Sequence, residues 1–178
     1  MMRHTTTKFT DINISGFTEN HPSSITIYDT NGCILAHELS LMAIIKKFDP
    51  PGVLVIGNEA ALVPERLQNL RNISDENKLD AKDVIIGSPL RNGIIVDTIM
   101  SQHIFRYLLR SVNAIRLFGL VKPNIAVCTL NQMTSAESEI LVATLVNAGC
   151  KSVVVFQKSF ENARDDILKK YKFILEIL

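Results

Sequence analysis

The chain has 178 residues, of which 47% are hydrophobic and 21% charged, and its formal net charge is +1. This is the composition of one globular domain, long enough to bury roughly 70% of the surface that its unfolded chain exposes. It argues against the basic face of a nucleic-acid-binding protein, and no apolar run reaches the ~20 residues of a membrane-spanning helix. Because the N-terminal residues contain no apolar signal-peptide core, a cytoplasmic protein is expected.

The cysteines and histidines do not indicate a metal site. Cys33, Cys128 and Cys150 are odd in number and far apart, and the last two lie in apolar segments where small buried side chains are expected. None of the histidines has ligand-like spacing. They are His4, His21, His37 and His103.

In the first half of the chain, β-rich runs alternate with turns. Residues 1–10 are polar and rich in threonine, which predicts a flexible arm. The runs ITIYD and CILAHELSLMAII flank Asn31-Gly32, a dipeptide typical of hairpin turns. After the turn FDPPG, the run VLVIG predicts another strand. Residues 58–70 have helical spacing, with a bend or a helix start at Pro64.

In the second half, strands and helices alternate more regularly. Apolar residues over Thr98–Leu109 lie on one side of a predicted helix, and the run NIAVCTL is typical of a buried strand. Thr134 and Glu137 form a capping-box pattern at the start of a second helix, which Gly149 is expected to end. Residues 152–156 predict another strand. The pattern indicates a mixed sheet flanked by helices.

The order of these segments resembles that of one superfamily. From Ser88 the chain reads SPLRNGIIVD, FRYLLRSV, KPNIAVCTL, TSAESEILVATLVNAG and KSVVVFQKS. This is similar to the first half of a bacterial actin of the MreB family, where RPxRDGxIAD precedes an LRYFI helix and a KPRVVI strand. The resemblance covers about residues 11–160. The matching residues are Pro89, Arg91, Gly93, Asp97, Phe105, Arg106, Tyr107, Lys122 and Pro123.

The resemblance implies a ribonuclease-H-like half of an actin-like ATPase. The α/β fold expected is a mixed sheet of about five or more strands flanked by helices, with a small inserted subdomain over about residues 33–85. The matching residues have two interpretations, as turn and core residues or as filament contacts. Asp97 and Glu137 are candidate partners for Arg91.

At positions that correspond to the family's nucleotide site, this chain has residues of different chemistry. The family's phosphate loop DxGTxNT corresponds to DINISGFTEN, with Ser15 at the aspartate position and Gly16, Thr18 and Asn20 near the loop positions. Serine lacks the charge that holds a hydrated cation. The family has two glutamates at the end of the strand that corresponds to KSVVVFQKS, and Lys158 stands at the position of the second. A lysine ammonium cannot act as a general base. The resemblance therefore implies no catalytic residues. Any nucleotide would contact these five positions.

The segment Glu161–Leu178 departs from the family pattern and is predicted to be one C-terminal helix. Early aspartates and later lysines suit its dipole. Its apolar stripe has three interpretations: it folds back over the sheet, it binds a partner or a second copy, or it adsorbs to a membrane surface. The candidate interaction residues are Ile167, Tyr171, Ile174, Leu175 and Leu178.

The sequence therefore predicts a divergent MreB-like protein that corresponds to the first half of an actin. Its expected role is protein interaction or assembly in the cell-shape cytoskeleton, with ATP hydrolysis lost and no cofactor required. The expected partner is a second copy or another protein such as a full-length actin homologue. The alternative is an actin-like protein that still binds Mg-ATP and polymerises, or that completes its site with another chain.

Overall fold

A mixed sheet of five strands forms the centre of the computed structural model, which describes residues 22–46, 52–70, 83–116, 120–168 and 170–178. The strands are β1 (Ser24–Tyr28), β2 (Ile34–Leu39), β8 (Asn124–Thr129), β9 (Ser152–Phe156) and β10 (Phe173–Ile177). Their order across the sheet is β2-β1-β10-β8-β9. β10 is antiparallel to β1 and parallel to β8, and β9 is parallel to β8. The prediction of a mixed sheet of about five strands is confirmed.

The predicted hairpin joins β1 to β2 through Asn31-Gly32. Gly32 has φ 79°, a conformation that glycine adopts without strain. The Asp29 carboxylate accepts backbone hydrogen bonds from Cys33 and Asn31, each 2.8 Å long, and these bonds lower the pKa of Asp29. The hairpin places β2 at one edge of the large sheet.

A smaller sheet follows the hairpin. It contains β3 (Met42–Ile45), β4 (Gly52–Ile56) and β5 (Val84–Gly87) in the order β4-β3-β5, with α1 (Asn58–Ala61) and α2 (Val63–Leu70) between β4 and β5. The helices are separate elements near Pro64, as the sequence predicts. β2 pairs with β1 in the large sheet, so Ile34–Leu39 is not part of the smaller sheet.

A hairpin of two short strands connects the small sheet to the second half of the chain. It consists of β6 (Leu90–Arg91) and β7 (Ile94–Ile95). Asn92 and Gly93 between them have φ 50° and 76°, which is the turn conformation that an Asn-Gly pair favours. This hairpin was not among the elements predicted from the sequence.

Helices cover both faces of the large sheet. α3 (Thr98–Ser111) and α4 (Ser135–Ala148) pack on one face, and α5 (Phe160–Ile167) packs on the other. Successive β8 side chains point to opposite faces: Ile125 and Val127 lie in the core below α3 and α4, while Ala126 and Cys128 lie below α5. Since both faces are covered, β8 is an almost uninterrupted apolar run.

The prediction of one helix over Glu161–Leu178 is wrong. The helix α5 ends at Ile167, and the chain continues into β10 between β1 and β8. All five β10 residues are buried, with Leu175 facing the α3–α4 side and Ile174 the α5 side. A strand buried on both faces lacks polar–apolar alternation, so its apolar residues also fit a helical stripe. This part of the chain forms the sheet and does not cover it.

Among the described ranges, no helix combines the length and the apolar character needed to cross a lipid bilayer.

Candidate functional site

Three parallel strands of the large sheet end at the same edge. β8 ends at Thr129, β9 is followed by Gln157 and Lys158, and β10 ends at Ile177. Ligands of open α/β sheets commonly bind outside the carboxyl ends of the strands. We call the residues Thr129, Gln157 and Lys158 the strand-end site. The sequence identified Lys158 there but not the other two residues.

Lys158 is held by the helix that follows it. Its Nζ lies 3.0 Å from Asp166 Oδ2 on α5 and 6.0 Å from the centre of the Phe156 ring. This hydrogen bond, together with the lysine charge, lowers the pKa of Asp166. The helix itself begins at Ser159, whose hydroxyl accepts a hydrogen bond from Asn162 N. The ammonium group therefore has a carboxylate partner within the chain.

The middle of the strand-end site is built around the end of β8. Gln157 Nε2 donates to Met133 O at 3.0 Å. Thr129 is fully buried, and its hydroxyl has no hydrogen-bond partner among the described residues. Since Thr129 follows an apolar run in which both faces are covered, the sequence alone gives no signal that its hydroxyl is unpaired.

The β6–β7 turn closes one side of this site. A Cβ added to Gly93 would lie 3.3 Å from Thr129 Oγ1, so the turn approaches the threonine closely. Gly93 N donates to Ser23 Oγ at 2.8 Å, and Asn131 Nδ2 donates to Asn92 O. A side chain at position 93 would disturb this contact. The match of Gly93 to the family segment thus has a local packing reason.

A buried carboxylate lies in the central strand. Glu176 is 8% exposed and accepts hydrogen bonds of 2.9 Å from the Tyr28 hydroxyl and from Phe160 N. The Tyr28 ring stacks on Phe160 at a centroid distance of 4.2 Å. Burial, followed by the contact with Glu176, raises the pKa of Tyr28 to about 12. Burial and the nearby carboxylate also raise the pKa of Cys128 to about 12.

Glu176 therefore joins β10 to β1 and to the start of α5 through two hydrogen bonds. Glu176 was not predicted to be part of the sheet because the sequence around it also fits a helix. Cys128 and Cys150 are both buried, as predicted, and burial raises the pKa of Cys150 to about 12 as well.

The two acids proposed as partners of Arg91 have other roles. Asp97 Oδ1 accepts a hydrogen bond from Met100 N and caps α3. Glu137 accepts from the backbone N–H and the hydroxyl of Thr134, and these bonds lower its pKa. The predicted capping box of α4 is confirmed. Both carboxylates thus stabilise helix starts, and Arg91 makes no ion pair within the described ranges.

Four other residues were predicted to contact a nucleotide, and all of them lie outside the described residues. They are Ser15, Gly16, Thr18 and Asn20. No group of three or more metal-ligating side chains occurs in the part of the chain that the structure describes.

The residues proposed for an interaction helix do not form one surface. Ile167, Ile174 and Leu175 are fully buried inside the chain. Tyr171 is partly buried and contacts Phe156 edge-on, with 6.4 Å between ring centroids. Only Leu178 is exposed, and its backbone pairs with Ser24. An apolar helical surface for a partner or a membrane is therefore wrong for this segment.

The fold is similar to that of two solved structures. The crystal structure of MreB5 of Spiroplasma citri bound to ADP superimposes with a TM-score of 0.55 at 17% identity and covers 80% of this chain. The same protein bound to AMPPNP gives a TM-score of 0.53 at 18% identity, again over 80% of this chain. The chain spans 37% and 38% of the length of those two chains. No curated protein matches the sequence.

The chain belongs to the MreB/Mbl protein family, whose model matches residues 22–164. The resemblance found in the sequence is thereby confirmed.

Proposed function

We propose that this chain is a protein-interaction or assembly module of a bacterial actin-like cytoskeleton and that it does not hydrolyse ATP. The observation that carries the proposal is the chemistry of the strand-end site. Its residues are a threonine, a glutamine and a lysine, and the lysine is paired with Asp166 at 3.0 Å. A general base for attack on a phosphate must be able to accept a proton, which a lysine ammonium cannot do.

The continuous pairing of the five strands supports a role as an interaction module. β10 fills the position between β1 and β8, and Ser24 and Leu178 exchange two backbone hydrogen bonds of 2.8 and 2.9 Å. The five described strands therefore form one continuous sheet. Family membership supports assembly with a second copy or with a full-length actin homologue as the partner.

Phosphate release and assembly are measured separately to test this function. The chain with Mg-ATP is expected to release no phosphate above the no-protein background, while a full-length bacterial actin in the same buffer serves as the positive control. Co-sedimentation and light scattering, each with and without that actin, are expected to show association. Phosphate release at the rate of the control would contradict the loss of hydrolysis. A chain that stays monomeric and binds no actin would contradict the assembly role.

A second candidate function is nucleotide binding without hydrolysis. It is favoured by the unpaired hydroxyl of Thr129 beside Gly93 and by the two similar structures, in which MreB5 is bound to ADP and to AMPPNP. Titration of a fluorescent ATP analogue with magnesium tests it. Saturable binding that weakens in Thr129→Val, but not in Thr144→Val on α4, would favour this function. No saturation in the wild-type chain would exclude it.

A further inference from the structure

An open groove of about 470 Å³ lies between α3 and β4, apart from the strand-end site. Its lining residues are Val53, Ile56, His103, Arg106, Tyr107, Arg110 and Ser111. The helical members follow the i, i+3, i+4, i+7 spacing of one helix face. The other side of α3 supplies Phe105 and Leu108 to the core. The stripe that faces the groove is therefore not part of the main hydrophobic core.

The helical wall of the α3–β4 groove is cationic. Arg106 is held in place because its Nη2 donates to Asn147 O at 2.8 Å and its Nε donates to Ala148 O at 3.4 Å. Arg110 is exposed and has no hydrogen-bond or ion-pair partner among the described residues. None of the seven lining residues is acidic. The groove therefore has an unbalanced positive charge, and one of its guanidinium groups is already fixed.

Three of the other lining residues, Val53, Ile56 and Tyr107, are apolar or aromatic. Val53 is 44% exposed and Tyr107 is 43% exposed, and Ile56 is half-buried beside them. Arginine and tyrosine next to exposed aliphatic side chains are enriched in protein–protein interfaces, where they contribute a large share of the binding energy. The stripe from His103 to Ser111 extends over about 12 Å of helix, which is long enough to contact several side chains of a bound segment.

We propose that the α3–β4 groove binds a segment of a partner protein that carries one or two carboxylates next to an aliphatic or aromatic side chain. Arg110 pairs with a carboxylate, Arg106 supplies the fixed positive charge beside it, and the apolar side chain packs on Val53 and Ile56. This inference rests on the proposed function as an interaction module and names the surface and the partner chemistry. A segment fits better than a small anion because much of the lining is apolar.

A peptide selection on the full chain tests the groove. A random twelve-residue peptide library is selected on the wild-type chain and counter-selected on Arg110→Glu. The enriched peptides are expected to contain aspartate or glutamate adjacent to leucine, phenylalanine or a similar residue. In fluorescence anisotropy, Arg110→Glu and Val53→Asp should each weaken an enriched peptide by about tenfold or more. Lys170→Glu, an exposed charge reversal beyond α5 on the opposite face of the sheet, should leave the affinity unchanged.

Two further measurements distinguish a local loss of binding at the groove from misfolding of a variant. Amide chemical-shift changes in the wild-type chain with the bound peptide should concentrate at residues 53–56 and 103–111. A peptide in which arginine replaces the acidic residues should bind Arg110→Glu better than it binds the wild-type chain. Enriched peptides without acids, unchanged affinity in Arg110→Glu, or shifts at another surface would each overturn the proposal.

Other occupants appear as separate outcomes of the same experiments. If the wild-type chain self-associates in sedimentation velocity and Arg110→Glu does not, the groove binds a second copy and the partner-segment proposal is wrong. If ATP alone shifts the same residues and displaces the peptide, the groove is an anion site. If the chain assembles with an actin but selects no acidic peptide, only the groove proposal fails. If it neither assembles nor selects a peptide, both proposals fail.

Discussion

Among single residues, Glu176 is a buried polar group that connects the central strand to β1 and to α5. Its carboxylate accepts from Tyr28 and from Phe160 N inside a core of apolar side chains. Glu176→Ala leaves both donors buried without an acceptor and opens a cavity, so the free energy of unfolding should fall by about 2–4 kcal/mol. Urea denaturation of the two proteins measures the difference.

Glu176→Gln is the matched control for that prediction. The amide oxygen can still accept from Phe160 N, and the tyrosine hydroxyl can accept from the amide nitrogen. We therefore expect a smaller loss of stability, about 1 kcal/mol. Equal losses in the alanine and glutamine variants would show that the two hydrogen bonds contribute little.

The ionisation of Tyr28 gives a second residue-scale prediction. The pKa of Tyr28 is raised to about 12 in the folded chain, against about 10 in an unfolded chain. Because the folded state holds this proton more tightly, its contribution to stability is fully present below pH ~10 and is lost as the pH rises towards ~12. The ultraviolet phenolate titration of the wild-type chain minus that of Tyr28→Phe should show a transition near the upper value. A difference curve centred near pH 10 would contradict the buried contact with Glu176.

Among the elements, α4 begins with a capping box whose contribution to the free energy of unfolding can be measured. Thr134 Oγ1 accepts from Glu137 N at 3.3 Å, and the Glu137 carboxylate accepts from Thr134 N at 2.7 Å. Thr134→Ala should lower the free energy of unfolding by about 1 kcal/mol. Thermal unfolding of Thr134→Ala and of Thr134→Ser measures this, and the serine variant should retain most of the stability.

The pH dependence of the same cap follows from the lowered pKa of Glu137. A depressed folded pKa stabilises the fold above the ordinary glutamate value of about 4.3, and the contribution is lost as the pH falls through the lower folded value. The difference between wild type and Glu137→Gln should therefore shrink in acid. A difference that stays constant from neutral to acid pH would contradict the role of the charged carboxylate.

The elements also show what the sequence could predict. α3, α4, β8 and β9 were predicted because their signals are local, such as one apolar helix face, a capping box, or Gly149 with its positive φ of 124°. β10 was mistaken for helix because its type depends on pairing with β1, a partner almost the whole chain away. At the strand-end site, sequence placed Lys158 after β9 but not its ion pair with Asp166, since that contact depends on where α5 packs.

At the scale of the whole molecule, β10 joins two parts of the large sheet that are otherwise separate. The hairpin β2–β1 lies on one side of it and the parallel pair β8–β9 on the other. Its side chains also contribute to the cores on both faces. Loss of this strand would remove the ladder hydrogen bonds on both of its edges, so the stability of the two parts should be coupled.

Ile174→Asp tests this coupling. Ile174 is fully buried among apolar side chains on the α5 side of β10. A carboxylate at this position would remove the packing of the isoleucine and would be buried in an apolar environment. We expect a loss of at least about 4 kcal/mol or failure to fold, seen as fast hydrogen exchange in both β1 and β8. Leu178→Asp is the control, since Leu178 is 42% exposed immediately after the same strand and its change should be below about 1 kcal/mol. If Ile174→Asp stayed folded with slow exchange in β1 and β8, the stabilities of the two parts would not be coupled through β10.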